Sequence, residues 1–147
     1  MQNLDMPKLE VTKEQLRVIQ IALEHYRRIG MGQFSFITEH PTFDEFLSKK
    51  YEEDVKTDWA EYHQRMKIVK TALVYPRNLL IDDRSMPESG SWGIYHPDVD
   101  ESCRVAFDIM QVIRHEKWKV NPNRNSFTVD SGVHLTNEGS KKIKVEL

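Results

Sequence analysis

Two glycines interrupt what otherwise reads as one long helix near the start of the chain. The helical spacing of apolar residues begins at Leu16 and is still present at Tyr26, and Gly30 and Gly32 follow within the same pattern. Each glycine costs a helix interior about 0.8–1 kcal/mol relative to alanine. Two glycines this close together therefore predict either a bend in the chain or a surface that a second element approaches too closely for a Cβ atom.

The helix that carries these glycines has a strong start signal. Thr12 and Gln15 form a capping-box pair at its beginning. The apolar pattern continues past the glycines to Ile37. We expect the helix to end by Pro41, because proline lacks the backbone N–H that a helix interior requires.

A second capping-box pair, Thr42 and Glu45, predicts a short helix after the proline. The most regular helical pattern of the chain follows it, with apolar residues four, three, four, three and four positions apart. Such a seam is typical of the central helix of a bundle or of a face for a second subunit, and we expect the first. The seam consists of Val55, Trp59, Tyr62, Met66, Val69 and Leu73.

Residues 75–97 predict a long loop, since prolines, glycines and serines recur there. Loops of this length inside compact domains are uncommon and often functional. Asp98 and Glu101 then predict the start of a last long helix, and basic residues at its end suit the helix dipole. Further along, apolar residues alternate with a period near two, which predicts a small β hairpin within about 126–147.

Together these patterns predict a mainly α protein. We expect residues 1–147 to form a single-domain bundle of about four helices with a small C-terminal β hairpin. The chain lacks a signal peptide and a long apolar run, which argues against a membrane protein. Its lone cysteine, Cys103, fits a reducing compartment and is expected to be a small buried side chain. These features predict a cytoplasmic protein.

Charge is distributed unevenly along the chain. The net charge of −2 argues against a dedicated nucleic-acid binder. Residues 39–63 carry eight acids against three lysines, whereas residues 103–147 carry eight Lys/Arg against five acids. This asymmetry suits head-to-tail pairing of two copies or steering of a partner, and an ordinary uneven surface produces it too. We expect a homo-oligomer, with a dimer favoured.

One polar stripe on the last helix has the composition of an acid–base site. Its residues align on one face at helical spacing, which proton transfer in a cleft would require. A solvated helix face has the same pattern, with Arg104 and Asp108 as i,i+4 partners, and we expect that simpler arrangement. The stripe consists of Glu101, Arg104, Asp108, Gln111 and His115.

Metal and cofactor motifs are missing from the sequence. The six histidines never have H-x3-H or H-E-x-x-H spacing, and one cysteine does not suffice for a structural zinc site. Nucleotide pyrophosphohydrolases hold magnesium with a Glu-Glu-x-x-Glu cluster, but here Lys56 occupies the position of the third acid. A phosphate-binding loop is also missing, because Gln33 follows Gly32 where lysine is required. We therefore predict no catalytic residue, no metal and no cofactor.

The remaining candidate residues suit recognition. Arginine forks suit phosphates and carboxylates, and tryptophan or tyrosine supplies flat area for a base or a partner protein. The loop aromatics equally suit a loop that folds down onto the core. The predicted binding residues are Arg27, Arg28, Gln33 and Phe34 near the glycines, and Arg84, Trp92, Tyr95 and His96 in the long loop.

Two parts of the chain carry a resemblance to known sequences. Residues 19–34 read IQIALEHYRRIGMGQF, and residues 93–95 and 105–114 read GIY and VAFDIMQVIR. They resemble short conserved proteins of bacteriophages and prophages whose function is uncharacterised. The resemblance implies a phage-like origin. Small phage accessory proteins often bind host machinery or sequester a signalling molecule.

We therefore expect a non-enzymatic binding protein, a phage-derived accessory factor that binds and modulates a host protein through the glycine–arginine segment and the long loop. One alternative is a small-ligand protein that holds a nucleotide-like anion on Arg27 or Arg28 and stacks it on Trp92 or Tyr95. A further alternative is a metal-dependent phosphoester hydrolase that uses the polar stripe. A membrane partner is not expected.

Overall fold

The computed structural model describes residues 8–43, 59–122, 129 and 132–147, and this part of the chain is helical. The mainly α class is confirmed. None of the helices in the described ranges is long and apolar enough to cross a membrane. The helices are α1 (Lys13–Gly30), α2 (Trp59–Ala72), α3 (Val74–Leu80) and α4 (Glu101–Val120), with 3₁₀ helices at Phe34–Glu39 and Glu138–Lys142.

Helix α1 begins as predicted and ends earlier than predicted. The Thr12 hydroxyl accepts a hydrogen bond from the Gln15 backbone N–H, and the Gln15 side chain accepts one from the Thr12 backbone N–H, which confirms the capping box. The helix ends at Gly30, and a 3₁₀ helix follows at Phe34–Glu39. The predicted continuation of α1 is wrong because Gly32 adopts a φ of +80°, which a right-handed helix does not allow.

Helices α1 and α4 pack against each other in antiparallel orientation. Gly30 at the end of α1 lies against Cys103 in the first turn of α4, whereas Gln20 in α1 accepts a hydrogen bond from Lys117 near the end of α4. A Cβ atom on Gly30 would overlap the Cys103 Sγ. The two predicted uses of glycine are therefore both present: Gly30 permits a close approach and Gly32 makes the bend.

The core is built on the inner side of α4. Trp92 and Ile94 cover part of it from the long loop. The predicted burial of Cys103 is confirmed, since its side chain is 3% exposed. The buried apolar residues of the described part are Met31, Val99, Cys103, Ala106, Met110, Ile113 and Val129.

The predicted seam lies on α2, which is beside the core. Helix α2 packs against the 3₁₀ helix at Phe34–Glu39 and against α3. Tyr62, Met66 and Leu73 are half-buried and Val69 is exposed. Among the described residues, the expectation that this helix shares the central core is therefore wrong. Val55 and the side chain of Trp59 lie outside the described part, and pairing of the seam with a second copy stays a prediction.

Residues 74–80 form α3 where a loop was expected. Pro76 stands in the first turn of this helix, where a backbone N–H needs no partner, so the proline does not break it. Helix α3 buries Arg77 and exposes Tyr75 and Leu79 on its other side. The predicted loop over 75–97 is therefore confirmed only beyond Leu80.

The predicted C-terminal β hairpin is not seen. Residues 132–147 contain no strand and include a 3₁₀ helix, while most of 123–131 lies outside the described part. The backbone N–H groups of Thr136 and Asn137 donate to the Asp108 carboxylate on α4, at 2.7 and 3.1 Å. Within 132–147 the C-terminal segment therefore lies on α4, where the Asp108 side chain accepts hydrogen bonds from two backbone N–H groups that a neighbouring strand could otherwise have accepted.

Candidate binding surface

The glycine–arginine segment and the long loop lie together in the fold. The Gln33 side-chain amide donates to the Ser91 hydroxyl at 3.0 Å, and the Trp92 backbone N–H donates to the Met31 carbonyl at 2.9 Å. The turn at Gly32 permits this return of the chain. We call the surface formed by residues 27–37 and 91–96 the α1–loop surface.

Two arginines at the end of α1 share one carboxylate. Arg27 pairs with Glu24 at 2.6 Å, and Arg28 pairs with the same side chain, also at 2.6 Å. Arg28 in addition donates to the Gln33 side-chain oxygen at 2.7 Å. Because Gln33 bonds Ser91, the arginines of α1 are connected to the long loop through a continuous set of hydrogen bonds.

A third arginine, Arg114 on α4, adds positive charge to this group. Burial lowers the pKa of Arg27, pairing with Glu24 raises it, and the positive charges of Arg28 and Arg114 lower it further, so the pKa lies below its usual value. Burial also acts to raise the pKa of Glu24, but hydrogen bonds from Arg28 and Arg27 outweigh it and hold this pKa below its usual range.

We call Arg27, Arg28, Arg114 and Glu24 the arginine cluster. Arg27 and Arg28 pair with the Glu24 carboxylate, and the positive charge of Arg114 acts on Arg27, so the four side chains carry a formal charge of +2.

The loop aromatics differ in their availability. The Trp92 ring stacks on His96 with centroids 4.7 Å apart and an angle of 2°, and Trp92 packs against the buried cluster of Met31, Val99 and Cys103. Trp92 is therefore folded onto the core, which is one of the two roles that the sequence suggested for the loop aromatics. Tyr95 is 69% exposed and is the aromatic side chain that this loop offers to solvent.

Phe34 and Arg84 complete the set of predicted residues. Phe34 begins the first 3₁₀ helix and is half-buried. Arg84 is exposed in the turns that follow α3, and within the described residues no hydrogen bond or ion pair joins it to the α1–loop surface. Sequence reasoning assigned Ile29 and Ile37 to the apolar helical pattern and not to the binding residues, but both side chains are exposed and add apolar area to the surface.

The polar stripe of α4 is not a solvated face. Asp108 is fully buried, and its carboxylate accepts hydrogen bonds from the Thr136 backbone N–H, the Thr136 hydroxyl and the Asn137 backbone N–H. Glu101 accepts one from the Asn137 side chain, and His115 Nδ1 lies 2.5 Å from the Val129 carbonyl oxygen. The stripe therefore fixes the C-terminal segment on α4.

The expected ion pair between Arg104 and Asp108 is wrong. Arg104 donates to the Val99 carbonyl at 2.8 Å and thereby holds the chain just before α4. In the described part of the chain, the hydrogen bonds that the Asp108 carboxylate accepts come from the C-terminal segment, and the side chain is fully buried, so a reactant has no access to this group. The arrangement disfavours acid–base chemistry at Asp108.

Sequence reasoning also missed Arg77, which holds the first half of the long loop. The Arg77 side chain is buried, and its Nε donates to the Asn78 side-chain oxygen at 2.9 Å. Its four other N–H groups donate to backbone carbonyls at 2.6–3.0 Å. All five donors of this guanidinium are therefore used. The carbonyls belong to Met86, Pro87, Glu88 and Gly90.

Two open grooves lie away from the arginine cluster, and none of its side chains lines either of them. Within the described ranges, no group of three His, Cys, Asp or Glu side chains is arranged to hold a metal ion. One groove, of about 390 Å³, is lined by Thr38, Glu39, Tyr62, Met66 and Lys70. The other, of about 290 Å³, is lined by Val105, Ile109, Asn137, Ser140 and Ile143.

Comparison with known proteins gives no relative for this chain. No family model matches it, and no curated protein or solved structure matches it significantly.

Proposed function

We propose that this chain is a non-enzymatic binding protein, a phage-derived accessory factor that binds and modulates a host protein in the cytoplasm. The α1–loop surface is the proposed contact surface. One observation carries the proposal: the hydrogen bonds from Gln33 to Ser91 and from Trp92 to Met31 join the two segments that hold most of the predicted binding residues.

The composition of this surface supports a protein partner. Arginine and tyrosine are enriched at protein interfaces, and the two joined segments carry Arg28, the exposed Tyr95 and the exposed Ile29 and Ile37. The backbone beneath these side chains is held by the contact of Gly30 with α4 and by the bonds to the loop. A surface held in place before binding loses less conformational freedom when a partner docks.

A nucleotide-like anion is the second candidate ligand, because the arginine cluster carries more positive than negative charge. The protein partner is favoured over it on the aromatic side chains. The Trp92 ring, one of the two rings expected to stack on a base, already stacks on His96 and packs on the core, which leaves only Tyr95 of that pair for the role. A phosphoester hydrolase is disfavoured, since Asp108 is buried and its hydrogen bonds hold the C-terminal segment.

Capture of host proteins by matched variants tests the proposal. We expect the immobilised chain to retain a host protein, and Arg28→Ala and Tyr95→Ala to lose that same protein. Tyr75→Ala is the matched control, because Tyr75 is 72% exposed against 69% for Tyr95 and lies on α3. Equal retention by all variants, or loss with Tyr75→Ala alone, would contradict the proposal. Circular dichroism checks that each variant is folded.

A further inference from the structure

We propose that the larger of the two open grooves, between the first 3₁₀ helix and α2, binds a free α-amino acid with an apolar side chain. In this site Glu39 pairs with the ammonium group of the ligand, and Lys70 pairs with its carboxylate. The inference is independent of the proposed function, because none of the described residues that line the groove belongs to the α1–loop surface. Three observations carry it: two opposite charges without partners, an apolar strip beside one of them, and the size of the groove.

The two charged side chains of the groove come from different elements. Glu39 ends the 3₁₀ helix and is exposed, whereas Lys70 lies in the last turn of α2 and is half-buried. Among the described residues, neither side chain has a hydrogen bond or an ion pair, and the two do not pair with each other although both line the groove. Both charges are therefore available to a ligand that carries one group of each sign.

Thr38 adds a hydrogen-bond acceptor beside Glu39. Its hydroxyl donates to the Ser35 carbonyl at 2.8 Å, so its oxygen can only accept a further hydrogen bond. An ammonium group has three N–H donors and no acceptor. The 3₁₀ helix thus presents acceptors to the groove and suits the ammonium end of the ligand, while Lys70 on α2 suits its carboxylate.

The apolar strip lies on α2. Tyr62, Met66 and Lys70 are four residues apart, which places them one above the other on the same face of the helix. Tyr62 and Met66 are half-buried. A methionine side chain adapts to irregular shapes, and a tyrosine ring supplies a flat apolar face, so the strip suits an aliphatic or aromatic group.

The size and charge of the groove select the class of ligand. Its volume of about 390 Å³ lies within the range of about 300–1,000 Å³ that is usual for small-molecule sites. An anion such as a nucleotide would be repelled by Glu39, and a simple amine would be repelled by Lys70. An α-amino acid with an apolar side chain joins both charges to one apolar group, which matches the two charged residues and the strip.

Titration of the isotope-labelled chain with leucine, methionine and phenylalanine, followed by nuclear magnetic resonance, tests the inference. We expect at least one of them to bind and to shift the backbone amide signals of Thr38, Glu39 and Lys70. Each probe has two matched analogues, one without the amino group and one without the carboxylate. Both analogues should bind about tenfold more weakly, since each loses one charge-assisted hydrogen bond.

Two variants connect these preferences to the named side chains. Glu39→Gln should bind the amino acid and its analogue without the amino group equally, and Lys70→Gln should bind the amino acid and its analogue without the carboxylate equally. A merely structural role for these residues predicts that the preference for the amino acid is kept. Lys67→Gln is the matched control, because Lys67 is exposed on the same helix and does not line the groove; its affinity should equal that of the wild type.

The outcomes are separate from those of the capture experiment. Absence of binding by all three amino acids overturns the site, and so does binding that is equal in the wild type, Glu39→Gln and Lys70→Gln. If circular dichroism shows that one variant is not folded, the other variant still decides. Binding that depends on Glu39 and Lys70 supports the site whether or not a host protein is retained, because the capture variants change neither residue.

Discussion

The backbone of Gly30 lies directly against the Cys103 thiol at the point where α1 meets α4. Glycine gives α1 no helical advantage here, so the close approach explains its presence. The contact also buries the thiol: burial, with a smaller contribution from the negative charge of Asp100, raises the pKa of Cys103. This contact fixes the end of α1, from which Arg27 and Arg28 project.

Gly30→Ala should destabilise the protein by about 1–3 kcal/mol, the usual cost of overpacking a filled site. The gain in helix propensity, about 1 kcal/mol, only reduces that cost. Urea unfolding measures the change. In a Cys103→Ala background the cost should fall, because the remaining Cβ of residue 103 is 3.6 Å from the added methyl group. The same cost in both backgrounds would show that the contact with Cys103 is not its cause.

Gly32→Ala should cost about 1–2 kcal/mol for a different reason. The nearest heavy atom to an added methyl group is 3.8 Å away, so space is available, but the φ of +80° strains any L side chain. Gly93→Ala is the control, since nothing lies within 4 Å of the added atom there. We expect its effect in thermal unfolding to stay within about 0.5 kcal/mol. Equal effects at both positions would refute the backbone explanation.

Arg77→Lys should destabilise the protein by about 2–4 kcal/mol. A lysine ammonium has three donors at a single point and cannot serve four carbonyls and the Asn78 side chain together. The loss of stability arises because some buried carbonyl groups are left without a hydrogen-bond donor. Arg84→Lys, on an exposed side chain of the same loop region, should change the free energy of unfolding by less than about 0.5 kcal/mol. If Arg77→Lys leaves the free energy of unfolding unchanged, water molecules must donate to these carbonyls in place of the guanidinium.

Asp108→Asn should loosen the C-terminal segment from α4. The new amide group turns an N–H donor toward a backbone N–H, either that of Thr136 or that of Asn137. We expect a loss of about 1–3 kcal/mol. Hydrogen exchange of these two amides should become faster, while Asp98→Asn, on an exposed side chain, should leave their exchange unchanged. Unchanged protection in Asp108→Asn would show that the segment is held by other contacts.

The parts of the fold that local chemistry decides were predictable from the sequence. Thr12 and Gln15 satisfy each other within one turn, so the start of α1 followed from the sequence alone. Pro76 was misjudged because its effect depends on whether it falls in the first turn of a helix, and that position is set by packing. The role of Asp108 was not predictable either, since its partner Thr136 is 28 residues away.

The candidate site was predictable only in part. The residues of α1 and of the loop were found because arginine and aromatic side chains are recognisable by type. Arg114 was missed because it joins Arg27 only through the packing of α1 on α4. Arg77 was missed because backbone carbonyls, which accept its hydrogen bonds, leave no mark in the sequence.

Hydroxyl-radical footprinting of the chain, free and in complex with the retained host protein, is the most direct test of the α1–loop surface. The fold offers two comparable pairs of exposed side chains: Tyr95 and Ile37 at 69% and 42%, and Tyr75 and Leu79 at 72% and 48%. We predict that the complex protects Tyr95 and Ile37 and leaves Tyr75 and Leu79 as reactive as in the free chain. Protection of Tyr75 and Leu79, with Tyr95 and Ile37 unchanged, would contradict the account and place the contact on α3.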